Sequence, residues 1–145
     1  MSDLRIAGEQ IAAGERAAPP IAKTLGFRLL SARDGEAVFE MDVDERFWNP
    51  MGTLHGGILC DLADAAMGFA YASMLTEKES FTTVELKINF LRPVVKGRLR
   101  ATGKIVKKGR KIGLVDCDVT DERGKLVARA SSTCMTLTGD DASGR

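Results

Sequence analysis

The sequence predicts an α+β protein in which one long helix lies against a curled antiparallel sheet of five or six strands. Residues 55–75 are apolar on nearly all sides at helical spacing and contain no proline. Beyond Glu79 the apolar residues alternate with polar ones, which is the pattern of half-buried strands. A helix without a polar face needs apolar surface around most of its circumference, and a sheet that curls around the helix supplies it.

The first 20 residues are predicted to form a helical extension that precedes the sheet. Apolar side chains recur loosely at helical spacing in residues 4–17, and the prolines at 19 and 20 end that pattern. Residues 21–25 are expected to add a short helical turn. At 145 residues the chain has the length of one domain, so residues 1–145 are interpreted as a single domain. Its polar end, residues 139–145, is expected to be a disordered tail.

Six segments alternate between apolar and polar residues and are predicted to be strands: 27–33, 36–43, 83–90, 98–107, 112–120 and 126–137. The dipeptide Asp34-Gly35 between the first two is typical of a tight hairpin turn. Short turns also follow the fourth and fifth strands, so these strands should be antiparallel neighbours. An open sheet has edges that need cover, and pairing with a second subunit is one way to cover them.

The composition excludes several classes of function. Lys and Arg number 21 and Asp and Glu number 20, so no strong field attracts nucleic acid or a membrane surface. Cys60, Cys117 and Cys134 are widely spaced and odd in number, which fits neither a disulfide framework nor a zinc site. No secretory signal or membrane-spanning run is evident. We therefore expect a cytoplasmic protein without a metal or another cofactor, and without nucleic-acid or membrane partners.

Candidate catalytic groups are concentrated where the long helix begins. Asn49 precedes His55, the only histidine, and Gly56 and Gly57 follow it. Glycines let a ligand approach the backbone closely, and the free N–H groups of a helix start can hold a developing oxyanion. The alternative is that the glycines only form a tight turn and that His55 caps the helix.

Asp64 lies in the middle of the apolar helix, where a carboxylate is costly unless it is paired or functional. Burial would raise its pKa and make it a better base. Asp61 lies one turn earlier and could share the same face. Both acids could also be structural. Gly57 and Asp64 lie about 10 Å apart along one helix, too far to touch the same reacting carbon. A twofold dimer would bring Asp64 of one chain to Gly57 of the other.

Two runs resemble a known family. NPMGTLHGGILCDLADAAMG, residues 49–68, resembles the helix-opening motif of hotdog-fold acyl-CoA thioesterases of the phenylacetate-degradation (PaaI) type. TTVELKINFLRPV, residues 82–94, resembles their third strand, and the rhythm of residues 109–128 is also similar to theirs. The resemblance extends over about residues 25–138.

The resemblance implies the hotdog fold, a homodimer often paired into a dimer of dimers, and hydrolysis of an acyl-CoA to free acid and CoA. Asp64 matches the catalytic carboxylate, acting as general base or nucleophile, and Gly57 matches the backbone donor that polarises the thioester carbonyl. Asn49 and His55 match polar groups near the carbonyl and the attacking water. Thr83 matches a hydroxyl that orients the nucleophile in some relatives.

Asp61 departs from that pattern, because relatives often have a small or neutral residue there. For substrate binding, Gly56 lies at the helix start, and Arg and Lys suit the phosphates of CoA. The basic candidates are Arg92, Lys96, Lys107, Lys108, Arg110 and Lys111, of which Arg92, Lys108 and Arg110 are the preferred set. An ordinary solvated turn is the alternative for each. The acyl group, aromatic or aliphatic, stays open.

Two other functions are considered. A hotdog enoyl-thioester hydratase or dehydratase needs a histidine close to an acid, but His55 is followed by two glycines. A non-catalytic acyl-CoA-binding protein would keep the pocket and need no carboxylate, so Asp64 argues against it. Neither the residue spacing nor the composition decides between a dimer and a tetramer.

Overall fold

The computed structural model describes residues 4–143, which form three helices, six strands and two short 3₁₀ helices. The helices are α1 (Leu4–Ala12), α2 (Pro20–Leu25) and α3 (Gly56–Ala72). The strands are β1 (Arg28–Arg33), β2 (Glu36–Val43), β3 (Glu79–Phe90), β4 (Gly97–Lys108), β5 (Ile112–Thr120) and β6 (Leu126–Thr138). The 3₁₀ helices are Glu45–Phe47 and Gly139–Ala142.

The strands form one antiparallel sheet in the order β1-β2-β4-β5-β6-β3, with α3 packed on one face. The predicted α+β architecture, a long central helix wrapped by a six-stranded antiparallel sheet, is confirmed. The hairpin at 34–35 is confirmed as well, because Asp34 and Gly35 both have positive φ, at 52° and 79°. Two consecutive positive φ angles are the signature of the type I′ turn that suits the twist of a hairpin.

The core lies between α3 and the sheet, and at one point the two backbones touch. A Cβ on Gly103 of β4 would lie 2.5 Å from the carbonyl oxygen of Ala66 in α3. Further along the helix, Tyr71 is fully buried and its hydroxyl lies 2.7 Å from Oγ1 of Thr136 on β6. Between residues 4 and 143 no helix is long and apolar enough to cross a lipid bilayer.

One face of α3 is open, contrary to the expectation of a helix buried on all sides. Gly57, Asp61 and Asp64 are exposed and lie at positions i, i+4 and i+7 of the helix. The sheet surrounds only part of the helix, because β1 and β3 are its two edges and do not pair with each other. The expectation that Asp64 is buried in apolar surroundings is therefore wrong for the single chain.

The two ends of the chain also differ from expectation. Helix α1 ends at Ala12 rather than near residue 17, because Gly14 takes a left-handed backbone with φ of 76°. The predicted disordered tail, 139–145, begins with an ordered 3₁₀ helix in which Ala142 is only 1% exposed, so apolar packing holds it. Residues 144 and 145 lie outside the described residues, as do residues 1–3.

Candidate active site

Asp64 and Thr83, which the sequence nominated separately, are in contact. The Thr83 hydroxyl of β3 donates a hydrogen bond to Oδ1 of Asp64 on α3, at 3.1 Å. The register of β3 against β6 shifts between Thr83 and Glu85, so a bulge lies next to this threonine. Such bulges are common beside active sites because they redirect a side chain. The second carboxylate oxygen of Asp64 has no hydrogen-bond donor within residues 4–143.

A largely apolar cavity of about 590 Å³ lies beside this pair, between α3, β1–β3 and the N-terminal segment. Asp61, Asp64 and Thr83 line it, and so does Arg16 from the loop between α1 and α2. The other side chains that line it are hydrocarbon and include four phenylalanines: Phe27, Phe39, Phe69 and Phe81. The N-terminal segment contributes much of this wall through Leu4, Ala7, Ile11, Ala18 and Ile21. No pattern in residues 1–25 pointed to that role.

Asp61 lines the same cavity one turn before Asp64. Although Asp61 is exposed, desolvation on the side that adjoins the cavity and, to a lesser degree, the charge of Asp64 raise the pKa of its carboxyl. Its carboxylate has no ion-pair or hydrogen-bond partner in the described part of the chain. Asp61 and Asp64 therefore form an acidic pair along the exposed face of α3.

The start of α3 differs in detail from the expectation for Gly57. His55 is the N-cap, and its Nδ1 accepts a hydrogen bond from the Gly57 N–H at 2.9 Å. That N–H is therefore already occupied. The N–H of Gly56 has no acceptor among residues 4–143, so Gly56 carries the free donor at the helix start. A Cβ on Gly56 would lie 2.7 Å from Cζ of Phe90, so a larger residue here requires the exposed Phe90 ring to move aside.

His55 and Asn49 both shape the loop that leads into α3. Because Nδ1 of His55 accepts the hydrogen bond from Gly57, the proton of the neutral imidazole lies on Nε2, which points away from the helix N-terminus. The Asn49 side-chain oxygen accepts from the backbone N–H groups of Met51 and Thr53, and its amide donates to the Thr53 hydroxyl. Asn49 thus holds a tight turn in the loop, an arrangement that the Asn-Pro-x-Gly pattern suggested only in part.

The structure does not bring the three preferred basic residues together within one chain. Lys108 and Arg110 lie where β4 turns into β5, near the C-terminal end of α3, and Lys108 Nζ lies 5.7 Å from the centre of the Tyr71 ring. Arg92 follows β3 at the opposite end of the sheet and forms an ion pair with Asp121 at 3.6 Å. β4 has 12 residues, so about 35 Å separates its two ends.

The cysteines do not form a reactive site. Cys117 and Cys134 are buried and Cys60 is half-buried, and all three are free thiols. Burial raises the pKa of Cys117 to about 12, which keeps its thiol protonated and inert. Within the described residues, no group of three His, Cys, Asp or Glu side chains could hold a metal ion.

The site therefore contains one carboxylate oriented by a hydroxyl, an adjoining apolar cavity, and a free backbone donor at a helix start. This combination suits attack on an activated carbonyl, with the carboxylate as base or nucleophile and the N–H as oxyanion donor. Within one chain, however, Gly56 and Asp64 are eight residues apart on the same helix, about 12 Å along its axis. One chain alone cannot apply both groups to one carbon.

Comparison with known proteins agrees with this geometry. The Thioesterase superfamily matches residues 51–128. Acyl-coenzyme A thioesterase PaaI of Escherichia coli is 35% identical over 109 residues, which cover 74% of this chain and 75% of that protein. Human acyl-coenzyme A thioesterase 13 is 32% identical over 108 residues, covering 72% and 76%.

The solved structure of E. coli PaaI has the same fold as this chain. It aligns with a TM-score of 0.81 at 28% identity, over 94% of this chain and 97% of that one. The family match extends over more than half of the sequence and includes α3, the glycines at its start, and Asp64. The chain therefore belongs to the Thioesterase superfamily, as a hotdog-fold thioester hydrolase of the PaaI type.

Proposed function

We propose that this protein hydrolyses acyl-CoA thioesters to a free carboxylic acid and CoA. The observation that carries the proposal is the contact between the Thr83 hydroxyl and Asp64 at the wall of an apolar cavity. An acyl chain needs such a cavity, and its thioester carbonyl needs a nucleophile at the cavity mouth. The names of the relatives, acyl-coenzyme A thioesterases, support the same substrate class.

In the proposed reaction, Asp64 removes a proton from a water molecule that attacks the thioester carbonyl, or attacks that carbon itself. Thr83 holds one carboxylate oxygen, which leaves the other oxygen directed at the water or the carbonyl. The carbonyl oxygen becomes an oxyanion that accepts a hydrogen bond from the Gly56 N–H, at the positive end of the α3 dipole. The C–S bond then breaks and CoA leaves as a thiolate, which takes up a proton. Where Asp64 itself attacks, this step leaves an anhydride between the acyl group and Asp64, and water then hydrolyses it to release the acid.

The two halves of this site come from two copies of the chain in a twofold dimer. Gly56 and Asp64 of one chain are too far apart to act together, whereas an antiparallel neighbour would supply the missing half to each. The surface supports such an arrangement, because β3 is an edge strand with exposed apolar residues. Val84 and Phe90 of β3 are 58% and 54% exposed. Unpaired strands of this kind are usually covered in native proteins.

Two other predicted residues have supporting roles in this proposal. With Nδ1 occupied by the helix cap, His55 can offer its Nε2–H to the carbonyl or to the water. Asn49 keeps the preceding loop in shape, so it positions His55 and Gly56 rather than contacting the substrate.

Arg92, Lys108 and Arg110 remain candidates for binding the CoA phosphates. A twofold antiparallel arrangement puts opposite ends of the two sheets side by side, and Arg92 of one chain could then act with Lys108 and Arg110 of the other.

The test is a thiol-release assay with a panel of acyl-CoAs, comparing the wild type with Asp64→Asn and Asp61→Asn. The Asp64 substitution is nearly isosteric and removes the base or nucleophile, so kcat should fall at least about a hundredfold. Asp61→Asn is the matched control one turn away and should retain most activity. The reverse ranking would transfer the catalytic role to Asp61. A wild type that binds CoA esters but hydrolyses none would favour an acyl-CoA-binding protein instead.

A further inference from the structure

We infer that the face of α3 from Asp64 to Ala72 measures the length of the acyl group, and that the preferred substrates are linear aliphatic acyl-CoAs of about ten carbons. This inference rests on the proposed function and specifies the acyl class, which the sequence left open. It depends on where the cavity runs, on which atoms line it, and on one glycine halfway along it.

The cavity follows α3 from the catalytic carboxylate toward the C-terminal end of the helix. Asp64, Ala65, Gly68, Phe69 and Ala72 all line it. The first and last of these are eight residues apart, so the lined path is about 12 Å long. An extended polymethylene chain advances about 1.2 Å per bond, as an extended backbone does. A path of 12 Å therefore accommodates about ten carbons beyond the carboxylate.

Along this path, α3 contributes only apolar residues to the cavity wall and no side chain that can form a hydrogen bond. Beyond Asp64, the α3 residues that face the cavity are alanine, glycine and phenylalanine. Ala7 and Ile11 of α1 and Ala22 of α2 add further aliphatic surface. A hydroxylated aromatic acyl group would find no hydrogen-bonding side chain on this helical wall beyond Asp64, which disfavours it. An alkyl chain loses nothing on leaving water and gains from burial.

The size of the cavity also favours a chain over a small acyl group. A methylene group fills about the volume of a water molecule, roughly 30 Å³, so ten of them occupy about 300 Å³. The cavity of about 590 Å³ accommodates that chain. An acetyl group would leave nearly all of the cavity unfilled. Short acyl groups would therefore gain little binding energy from this site.

Gly68 lies halfway along the path and controls its depth. It is four residues from Asp64, about 6 Å or five carbons. A Cβ on Gly68 would lie 3.3 Å from Cζ of Phe81, so this ring, which also lines the cavity, packs directly beside the glycine. A larger side chain at this position would push the Phe81 ring into the cavity and narrow the path at its middle. The distal half of the cavity would then be out of reach of an acyl chain.

The experiment measures kcat/KM for saturated acyl-CoAs from C2 to C16, with Gly68→Val, Ala72→Val and the wild type. For the wild type we expect kcat/KM to rise about fourfold per methylene and to level off near C10. For Gly68→Val the plateau should move to about C5, so the ratio of C10 to C4 falls at least tenfold. Ala72→Val should change only the longest chains. Gly68→Ala needs only a small shift of the Phe81 ring and should shift the plateau slightly. It is the milder variant that keeps the test usable if Gly68→Val does not fold.

Several results would overturn the inference. They are a flat dependence on chain length, a preference for aromatic acyl groups, or an equal loss on all substrates in Gly68→Val. A preference for acyl groups with a terminal carboxylate would also overturn it, and would indicate recognition by Arg16. The same series is titrated against Asp64→Asn by calorimetry. Affinity that rises to C10 without hydrolysis by the wild type would refute the proposed function and retain the length rule.

Discussion

At the scale of single residues, the contact between Thr83 and Asp64 joins two positions that are 19 residues apart in the sequence. The hydroxyl leaves Asp64 with one engaged and one free oxygen, which is the asymmetry that a directed base or nucleophile needs. The hydrogen bond favours one orientation of the carboxylate. In the proposed mechanism, Thr83 is thus a positioning residue that acts through Asp64.

Thr83→Val should therefore lower kcat while the protein still folds. Valine has nearly the same shape but cannot donate, and a hydrogen bond to a charged group contributes about 1.5–3 kcal/mol. We expect kcat to fall by about tenfold to a hundredfold, with KM changed little, in steady-state assays with acyl-CoA. Thr83→Ser restores a hydroxyl and should recover most of the rate. A purely structural role would predict instead that serine and valine lower the thermal midpoint without separating kcat from KM.

At the scale of secondary-structure elements, the position of the site depends on how closely α3 approaches the sheet. Gly103 of β4 allows the helix backbone to lie directly against the strand, since a Cβ at this position would come within 2.5 Å of the Ala66 carbonyl oxygen. That contact fixes the height of α3 above the sheet. It thereby fixes the distance from Asp64 to Thr83 on the edge strand.

Gly103→Ala should be clearly destabilising, because the obstruction is backbone and cannot move aside as a flexible side chain can. Overpacking of this kind typically costs about 1–3 kcal/mol. The midpoint of urea unfolding should fall accordingly, with an unchanged m-value. Gly68→Ala is the matched control, since its nearest neighbour is the edge of an aromatic ring and alanine favours the helix. Equal stability of Gly103→Ala and the wild type would refute direct backbone packing at this point.

At the scale of the whole molecule, the proposed mechanism requires two copies of the chain, each of which contributes half of every active site. The exposed face of α3, the unpaired edge of β3 and the separation of about 12 Å between Gly56 and Asp64 all have one explanation in a twofold dimer. The partner would cover the exposed carboxylates and supply the N–H that each chain cannot bring to its own Asp64. A dimer of this kind makes catalysis depend on assembly.

Mixing two inactive variants tests this dependence. Gly56→Pro removes the free N–H, and proline is well tolerated at the first position of a helix, especially after an extended residue such as His55. Gly56→Ala puts a Cβ in the same place but keeps the N–H, so it is the matched control for the contact with Phe90. Asp64→Asn supplies the other inactive variant. When Gly56→Pro and Asp64→Asn are mixed in equal amounts and exchange subunits at random, about a quarter of wild-type activity should return. Half of the dimers are then mixed, and each mixed dimer contains one intact site out of two. If both groups acted within one chain, no activity would return.

Much of this molecule was predictable because the signals are local. The period of the apolar residues indicated the order of the helices and strands, and Asp34-Gly35 indicated the type I′ hairpin. The motif at the start of α3 and the run around Thr83 indicated the family and nominated both members of the Asp64–Thr83 pair. These features depend on neighbours in the sequence, or on short patterns that one chemistry requires.

Other features of the site were decided only by the tertiary structure, because they depend on distances between secondary-structure elements. Whether Asp64 is exposed is determined by how far the sheet curls, and sequence periodicity does not encode the width of that gap. Gly56 rather than Gly57 has the free N–H because a side-chain atom of His55 happens to reach the second glycine. The apolar N-terminal residues become a cavity wall only because α1 and α2 pack beside α3. Sequence alone determined which groups are available, whereas long-range packing determined which of them meet, because contacts between distant residues depend on the geometry of the whole fold.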